Sequence, residues 1–439
     1  MPAECAVGWA RQYRRPPALS LACMRAKFLL AVCATVIASE LPSVRMIESE
    51  GEARQYWPRW RGPSGQGIRD GSGYPDSWSD TANVLWKVEV PGRGNSSPIV
   101  WGDRIFLTTA YGGARRTVLC IERSTGRVLW EAPVPRAPAE PIYEKNTYAS
   151  STPVTDGERV YAYFGNAGLL AVDFAGRPVW HHSFGQIDLY HGSAGSPLLY
   201  KDLVIMYQDQ RRGSFVIALN RRSGDVVWRT AREEHIGWGS PIAIRVGEHD
   251  ELIVSSQDHV HAYDPATGHE LWKCSGTTME VTPTPVVGQG LVFCACGRAG
   301  PTLAIRPGGS GDVTATHVVW KSPKGSPFIP SPVLYGKYLY MVNDMASVAT
   351  CFEATTGKVM WQARLGEPRN EGFSASPVAV EGKIFFANDD GETFVVAAEP
   401  QFQLLHVNRV GERTLASPAL VEGKWYLRTE RHLIAIGQR

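Results

Sequence analysis

The sequence predicts an all-β fold, an eight-bladed β-propeller whose blades each contain four short strands. The first observation is a small residue followed by proline, which occurs eight times, at Pro98, Pro153, Pro197, Pro241, Pro285, Pro332, Pro377 and Pro418. The spacings between these prolines are 55, 44, 44, 44, 47, 45 and 41 residues. A period of this size, filled with short apolar runs, is the signature of propeller blades. The second observation is a tryptophan that ends most of the units.

Each unit contains the same series of elements. The proline is followed by an apolar run, a turn with Gly or Asp, a second apolar run and a third short run. A tight turn and a final strand complete the unit, as in AYDPATGHELW at 262–272. The turn glycine supplies the positive φ that such a turn requires. The tryptophan has a large flat face suited to packing between blades, and we assign this docking role to Trp86, Trp130, Trp180, Trp228, Trp272, Trp320 and Trp361.

The two ends of the repeat predict how the ring closes. The last unit ends at Arg439 after three strands, while residues 83–90 have the pattern of a fourth strand that no other three precede. We therefore expect this N-terminal strand to complete the eighth blade, which removes a free sheet edge. A seven-bladed ring and an open solenoid are the alternatives, and the split blade argues against both. The seventh unit is irregular, with Leu405-His406 at the tryptophan position, and the fifth has a longer loop at 306–320.

Composition excludes several classes of protein. Hydrophobic residues make up 44% of the 439 residues and charged residues 20%, so the chain has the apolar material for a core. Lys and Arg total 45 against 43 Asp and Glu, so no basic excess indicates nucleic-acid binding. The longest apolar run is too short for a transmembrane span, which needs about 20 residues. We expect a monomer.

The N-terminus has the pattern of an export signal. Residues 28–38 form an apolar run that follows Arg25 and Lys27 and ends in small residues, which is typical of a secretory signal. A disordered basic tail with a chance apolar stretch is the alternative. Translation starts at Met1 or at Met24, and the sequence leaves this open.

The remaining boundaries follow from this signal. Residues 1–38 are expected to be an N-terminal extension, 39–55 a linker and 56–439 the propeller. Lipidation at Cys33 is disfavoured, because the large residue Val32 precedes it where a small one is needed. The predicted location is the periplasm or the outside of a bacterial envelope.

The cysteines do not form a disulfide framework. An odd and scattered set would remain after signal cleavage, namely Cys120, Cys274, Cys294, Cys296 and Cys351. Cys294 and Cys296 share one face of a predicted strand. We interpret them as small core residues; a redox or metal pair and a bridge to Cys274 are the alternatives.

The repeat itself resembles a known family. The pattern A-x-D-x-x-T-G-x-x-x-W at 262–272 is similar to the repeat of pyrroloquinoline-quinone (PQQ) type propellers. That family includes quinoprotein alcohol dehydrogenases and the periplasmic propeller of the outer-membrane β-barrel assembly machinery. The resemblance covers residues 56–439, and WPRWRGPSGQGI at 57–68 resembles the N-terminal element of a secreted branch. It implies the fold, whereas function depends on the site.

The resemblance also implies what a dehydrogenase would need. A quinoprotein enzyme would hold PQQ beside Ca²⁺ ligated by Glu, Asn and Asp oxygens, with an Asp base and a Trp floor. It commonly has a disulfide between adjacent cysteines, and this chain has no Cys-Cys pair. The chain also lacks the Cys-x-x-Cys-His motif of attached c-type haem. PQQ with calcium therefore rests on family resemblance alone.

The residues just before each Ser/Thr-Pro are the candidate binding site. The innermost strand of a propeller starts near the axis, so these residues are expected to line one mouth of the channel, a common ligand site. They are Asn95, Tyr148, His191, His235, Trp238, Glu280, Phe328, Phe373 and Arg413. The alternative is that they only pack the channel and satisfy one another.

Other polar clusters are interpreted as loop or turn residues. His181-His182 and His191 are interpreted as solvated loop histidines, with a metal site as the alternative. Glu233-Glu234-His235 and Asp258-His259 are interpreted as polar turn residues, and Asn343-Asp344 and 388–391 as side chains that cap hairpin turns. We assign no catalytic and no metal-binding residue from the sequence. The favoured function is an exported, non-enzymatic binding or scaffold module for an envelope protein, a peptide or a small ligand. A PQQ- and calcium-dependent oxidoreductase is the main alternative, and a hydrolase or lyase that uses the polar mouth is a third.

Overall fold

The computed structural model describes residues 43–112, 115–298, 300–323 and 325–438. The chain divides into two compact units, and the second, Pro42–Arg439, contains every described residue. This unit is a propeller of eight sheets, which confirms the predicted fold class. The expected export signal at 28–38 and Cys33 lie outside the described residues. Within the described ranges, no helix is long and apolar enough to cross a membrane.

Blades 1 to 4 are antiparallel meanders that follow one another along the chain. Their middle strands are buried because neighbouring blades cover both faces, whereas the fourth strands contain both buried and exposed residues. In chain order, the strands are Ile99–Trp101, Arg104–Tyr111, Arg115–Glu122 and Val128–Pro133 in blade 1; Val154–Thr155, Arg159–Tyr163, Leu169–Asp173 and Pro178–His182 in blade 2; Leu198–Tyr200, Leu203–Gln208, Phe215–Asn220 and Val226–Ala231 in blade 3; and Ile242–Val246, His249–Ser255, His259–Tyr263 and Glu270–Ser275 in blade 4.

Blades 5 to 8 repeat this arrangement. In chain order, the strands are Val286–Gly288, Leu291–Ala295, Thr302–Ile305 and Val318–Ser322 in blade 5; Val333–Tyr335, Tyr338–Asn343, Val348–Glu353 and Val359–Arg364 in blade 6; Val378–Val380, Lys383–Ala387, Glu392–Ala397 and Leu404–Arg409 in blade 7; and Ala419–Val421, Lys424–Arg428 and His432–Ile436 in blade 8.

The eighth blade is completed by the N-terminal strand Val84–Glu89. This strand pairs antiparallel with His432–Ile436, with Val84 opposite Ile436 and Glu89 opposite His432. The predicted closure is therefore confirmed, and the sheet that joins the two ends has four antiparallel strands.

The tryptophans dock each blade onto the next. The indole nitrogens of Trp86, Trp130, Trp180, Trp228, Trp320 and Trp361 donate to main-chain carbonyls of the following blade at 2.7–3.2 Å. The indole of Trp180 also covers the turn glycine Gly224, where an added Cβ would lie 2.7 Å from the ring. Trp272 differs: its nitrogen donates to Glu251 of its own blade at 2.9 Å. The long loop of the fifth unit explains this, because Gly311–Asp312 adds a parallel strand beside Trp272.

A second link joins the innermost strands around the channel. The main-chain N–H of the residue before each proline donates to the hydroxyl of the corresponding Ser or Thr in the next blade, at 2.9–3.2 Å, in the pairs Ser97–Thr152, Thr152–Ser196, Ser196–Ser240, Ser240–Thr284, Thr284–Ser331, Ser331–Ser376 and Ser376–Ser417. This ring explains why a hydroxyl residue recurs at this position. At the join of blades 8 and 1, buried Arg428 donates to Ser96 instead.

The N-terminal region adds elements that the repeat did not predict. Val44–Met46 pairs with the first strand of blade 4, Ile68–Arg69 with the first strand of blade 7, and Gly51–Gln55 is a 3₁₀ helix. The strand Val44–Met46 and the 3₁₀ helix Gly51–Gln55 lie within the segment 39–55, whose role as a linker stays a prediction. Gly165–Ala167 is a second 3₁₀ helix, and Thr314–His317 is a four-residue α-helix in the loop of the fifth unit.

Candidate functional site

The segment 57–69 contacts the innermost strands of blades 5 to 7. Arg61 is 2% exposed and donates to the carbonyl oxygens of Pro332 and Pro377, at 2.5 and 3.2 Å. Trp60 donates to Thr284 at 3.3 Å. These partners belong to the Ser/Thr-Pro pairs, so the segment lies against the start of three innermost strands. The residues that precede the Ser/Thr-Pro pairs form the mouth that is the candidate site.

That mouth contains a cavity of about 160 Å³. All eight interblade connections and one hairpin of blade 5 contribute to its wall, which mixes aromatic, apolar and cationic side chains. The lining residues are Asn95, Tyr143, Lys145, Asn146, Ser150, His191, Ala194, Trp238, Thr282, Arg298, Phe328, Ile329, Ser374 and Leu415. The charged side chains among them are Lys145 and Arg298, so the lining carries positive charge.

Aromatic rings form one wall of the cavity. The ring centroid of His191 lies 4.9 Å from that of Tyr143, 4.1 Å from that of Tyr190 and 5.6 Å from that of Trp238. The indole of Trp238 donates to the carbonyl of Gly192 at 2.6 Å, which fixes its plane. Burial lowers the pKa of His191, although Glu280 opposes this effect. The imidazole is therefore neutral near pH 7 and presents a flat, uncharged surface.

The cation Arg298 is held in place from three sides. Its guanidinium contacts Glu280 at 3.2 Å and Glu371 at 3.3 Å. It also lies over the ring of Phe328, 4.7 Å from the centroid. Tyr190 donates to Glu280 at 2.7 Å. These contacts order the side chain and leave it 44% exposed at the cavity, where it can meet an anion.

The connection between blades 1 and 2 crosses the mouth. Tyr143 donates its hydroxyl to Glu371 at 2.9 Å, and Lys145 pairs with Asp389 at 2.8 Å. Lys145 also donates to the main-chain carbonyl of Glu371. Glu371 and Asp389 belong to the region of blades 6 and 7, on the far side of the ring. The crossing segment separates the apolar cavity from a polar cleft of about 410 Å³ that contains Arg413.

Two buried acids lie behind this mouth. Burial raises the pKa of Asp344 to about 7, and its Oδ1 accepts the main-chain N–H of Phe328 at 2.7 Å. Burial also raises the pKa of Asp389, with Lys145 opposing it. Asp344 Oδ2 and Asp389 Oδ1 have no hydrogen-bond partner among the described residues. Asp344 is thus a carboxyl group that can remain protonated near neutral pH.

The structure places six of the nine sequence-selected residues at or beside this mouth and three elsewhere. Asn95, His191, Trp238 and Phe328 line the cavity, Glu280 holds Arg298, and Arg413 lines the polar cleft. The other three lie elsewhere. Tyr148 stacks under Arg116, Phe373 is 1% exposed and packs on Phe394, and His235 is exposed.

Sequence reasoning missed Tyr143, Lys145, Arg298 and Glu371. Their contribution depends on the connection that crosses the channel, which no repeat position encodes. The signal for it was the first proline spacing, which is 55 residues where the next three are 44.

The cysteines and the neighbouring histidine pair show no link to this mouth. All five described cysteines are free and buried. Burial raises the pKa of Cys294 and Cys296, so both remain thiols. His181 donates its Nε2–H to the carbonyl of Ala167 at 2.7 Å, and His182 packs beside Phe184.

The arrangement does not fit PQQ with calcium. Calcium is bound by six to eight oxygen ligands, in which carboxylates predominate, yet the described residues that line the cavity include no Asp or Glu. Of the nearby carboxylates, Glu280 and Glu371 are paired with Arg298 and Asp389 with Lys145, and burial of Asp344 raises its pKa and favours its protonated form. The cavity of about 160 Å³ is also smaller than the several hundred Å³ typical of sites for cofactors of this size.

Comparison with known proteins agrees with the fold. The structure of BamB from Moraxella catarrhalis is similar with a TM-score of 0.58 at 14% identity, covering 81% of this chain and 97% of that one. Quinohemoprotein alcohol dehydrogenase from Comamonas testosteroni has a TM-score of 0.62 at 12% identity, covering 88% of this chain and 82% of that one. At these identities the likeness shows the fold alone.

One curated relative and one family model match the sequence. Tetrathionate hydrolase from Acidithiobacillus ferrooxidans is 22% identical over 374 residues, which are 79% of this chain and 65% of that protein. This chain therefore spans less than two thirds of that relative's length. A family model described as outer membrane protein assembly factor BamB matches residues 78–235, 212–302 and 344–438. The chain belongs to this family of PQQ-like β-propellers.

Proposed function

We propose that this protein is an exported, non-enzymatic binding module whose open channel mouth binds a flat carboxylate, either a small molecule or the acidic end of an envelope peptide. The observation that carries the proposal is the composition of the cavity wall. Its charged members are two cations, Lys145 and Arg298, and its largest flat members are Trp238, Tyr143 and Phe328. A ligand with an aromatic face and a carboxylate is complementary to both features.

The scaffold supports binding more than turnover. Arg298 is pre-ordered by two carboxylates and an aromatic ring, so little side-chain entropy is lost when it meets an anion. The segment 57–69 packs against the start of the innermost strands, so we expect the ligand to enter and leave by the mouth that precedes the Ser/Thr-Pro pairs. Export to the periplasm is part of the proposal and rests on the pattern at 28–38 and on the family match.

A titration with matched ligands tests this proposal. Because indole ligands absorb and emit in the same range as tryptophan, their binding is measured by isothermal titration calorimetry. We expect indole-3-acetate to bind and its neutral analogue indole-3-acetamide to bind at least tenfold more weakly. A short peptide ending in a phenylalanine carboxylate, compared with its C-terminal amide, distinguishes a peptide ligand from a small molecule.

The variant Arg298→Gln assigns the binding to this cavity. A hydrogen bond to a charged group contributes about 1.5–3 kcal/mol, so the loss should weaken carboxylate binding about ten- to hundredfold. Arg222→Gln, in an exposed turn of blade 3, is the matched control and should bind as the parent does. Equal affinity of Arg298→Gln and the parent would contradict the proposal. Consumption of tetrathionate by the parent would replace it with an enzymatic function.

A further inference from the structure

A cluster of two histidines and a glutamate lies where blade 3 connects to blade 4. Glu234 belongs to the connection, and His259 and His261 begin the third strand of blade 4. Their ligand atoms all lie within 4.8 Å of one another. None of the three lines the channel cavity, and the proposed carboxylate binding does not use them.

One carboxylate oxygen connects the two imidazoles. Glu234 Oε1 lies 2.9 Å from His259 Nδ1 and 2.8 Å from His261 Nε2. His259 and His261 are two positions apart on one strand, so both side chains point to the same face of the sheet. The side chain of Glu234 is 6% exposed, that of His261 9% and that of His259 28%. Glu234 and His261 are thus buried, and solvent reaches the cluster at His259.

The second nitrogen of His261 also faces a carboxylate. Its Nδ1 lies 2.8 Å from Glu270 Oε2, while Nε2 faces Glu234. A neutral imidazole has a single N–H donor. With a neutral His261, one of these two contacts would bring an unprotonated nitrogen against an oxygen, unless a second proton or a metal cation lies there.

We propose that Glu234, His259 and His261 bind a divalent transition-metal ion, with zinc as the ion that fits them best. Two imidazole nitrogens and one carboxylate oxygen are a ligand set that zinc accepts, with a fourth position left for water or another ligand. Ligand atoms 2.0–2.1 Å from a tetrahedral ion are separated by about 3.3 Å. The present oxygen–nitrogen separations of 2.8–2.9 Å need a small outward movement. The two ligand nitrogens lie within 4.8 Å of each other, and the partly exposed His259 can move to adjust this separation.

Glu270 completes the site as a positioning residue. A ligating histidine commonly donates its other ring N–H to a carboxylate, which fixes the tautomer. Here Glu270 accepts from Nδ1 of His261, so Nε2 is directed at the ion. The ion would join the connection at Glu234 to the third strand of blade 4. Bound to the folded protein and not to the unfolded chain, it would raise the unfolding temperature.

Zinc binding by the full chain, without a histidine tag, tests the proposal. After chelator treatment and reconstitution with Zn²⁺ we expect one Zn²⁺ per chain by metal analysis, and reconstitution with Co²⁺ should give the visible absorption of a four-coordinate site. His259→Ala should abolish both signals, and its partial exposure makes loss of folding a small concern. His249→Ala, at an exposed position of the same blade, should keep them.

The variant Glu270→Gln gives a second and independent measurement. We expect it to weaken zinc binding by about 10- to 100-fold while the Co²⁺ spectrum keeps its shape. The anomalous signal of zinc in crystals of the parent should lie among the three ligands. Less than one zinc per chain in the parent, or equal binding by His259→Ala and the parent, would overturn the proposal. In the first case a proton shared by the histidines and carboxylates holds the cluster together.

Discussion

Removing one docking tryptophan at the ring closure should destabilise the whole propeller. Trp86 donates to the carbonyl of Arg123 at 3.1 Å, covers the turn at Gly126 and lies 6.1 Å from the ring of Tyr426. A buried Trp→Ala change costs about 3–5 kcal/mol, and Trp86 is partly buried, so we expect about 3 kcal/mol for Trp86→Ala.

This cost can be converted into a change in melting temperature. An unfolding entropy of about 2.1 cal/mol/K per residue gives roughly 0.8 kcal/mol/K for the unit Pro42–Arg439. We therefore expect thermal scanning to show a fall of about 4 °C for Trp86→Ala. Val227→Ala, at a side chain that is 51% exposed, is the control and should change the stability by less than about 0.5 kcal/mol. Equal melting temperatures for the two variants would refute the docking role of Trp86.

Three further predictions test the closure, a buried acid and the turn glycines. Deletion of residues 83–90 should expose the edge of the eighth blade and lower the denaturation midpoint sharply, and an unchanged midpoint would contradict the closure. Because burial raises the pKa of Asp344 to about 7, the folded state favours its neutral form, so its contribution to stability is full below about pH 4 and is lost as the pH rises to about 7. Asp344→Asn should remove this decrease, as measured by urea midpoints at pH 5 and 8; an identical pH dependence would contradict the assignment. Gly224→Ala should cost more than Gly382→Ala, since both have positive φ but only at Gly224 would a Cβ meet Trp180, at 2.7 Å; equal unfolding free energies would argue against tight docking.

The fold could be predicted from the sequence because each blade docks on the next one through the same short pattern. Six of the seven docking tryptophans donate to a carbonyl 34–44 residues further on, so one short pattern repeats with the blade. The strand at 83–90 could be assigned to the eighth blade because the C-terminal unit has only three strands and lacks a fourth. Trp272 could not be anticipated, because the loop of the fifth unit changes what lies beside it.

The candidate site was only partly predictable. Positions before each Ser/Thr-Pro lie near the axis, but successive side chains of an extended segment point in different directions. His191 and Trp238 therefore line the cavity while Phe373 packs into the core. The crossing segment with Lys145 is not periodic, and only its contacts with blades 6 and 7 reveal its place.

The proposed zinc site was also only partly predictable from the sequence. His259 and His261 have the spacing of a strand-borne pair, and this was visible in the sequence. Glu234, in contrast, comes from the preceding interblade connection, and only the packing of blade 3 on blade 4 brings it to them.

The most direct measurement of the central claim is a dye-reduction assay of the purified protein with PQQ, Ca²⁺ and an alcohol. The titration with indole-3-acetate accompanies it. The account predicts carboxylate binding and no alcohol-dependent dye reduction, because the carboxylates near the cavity are paired with Arg298 and Lys145. Dye reduction that requires both PQQ and Ca²⁺ would contradict it and identify the protein as an oxidoreductase.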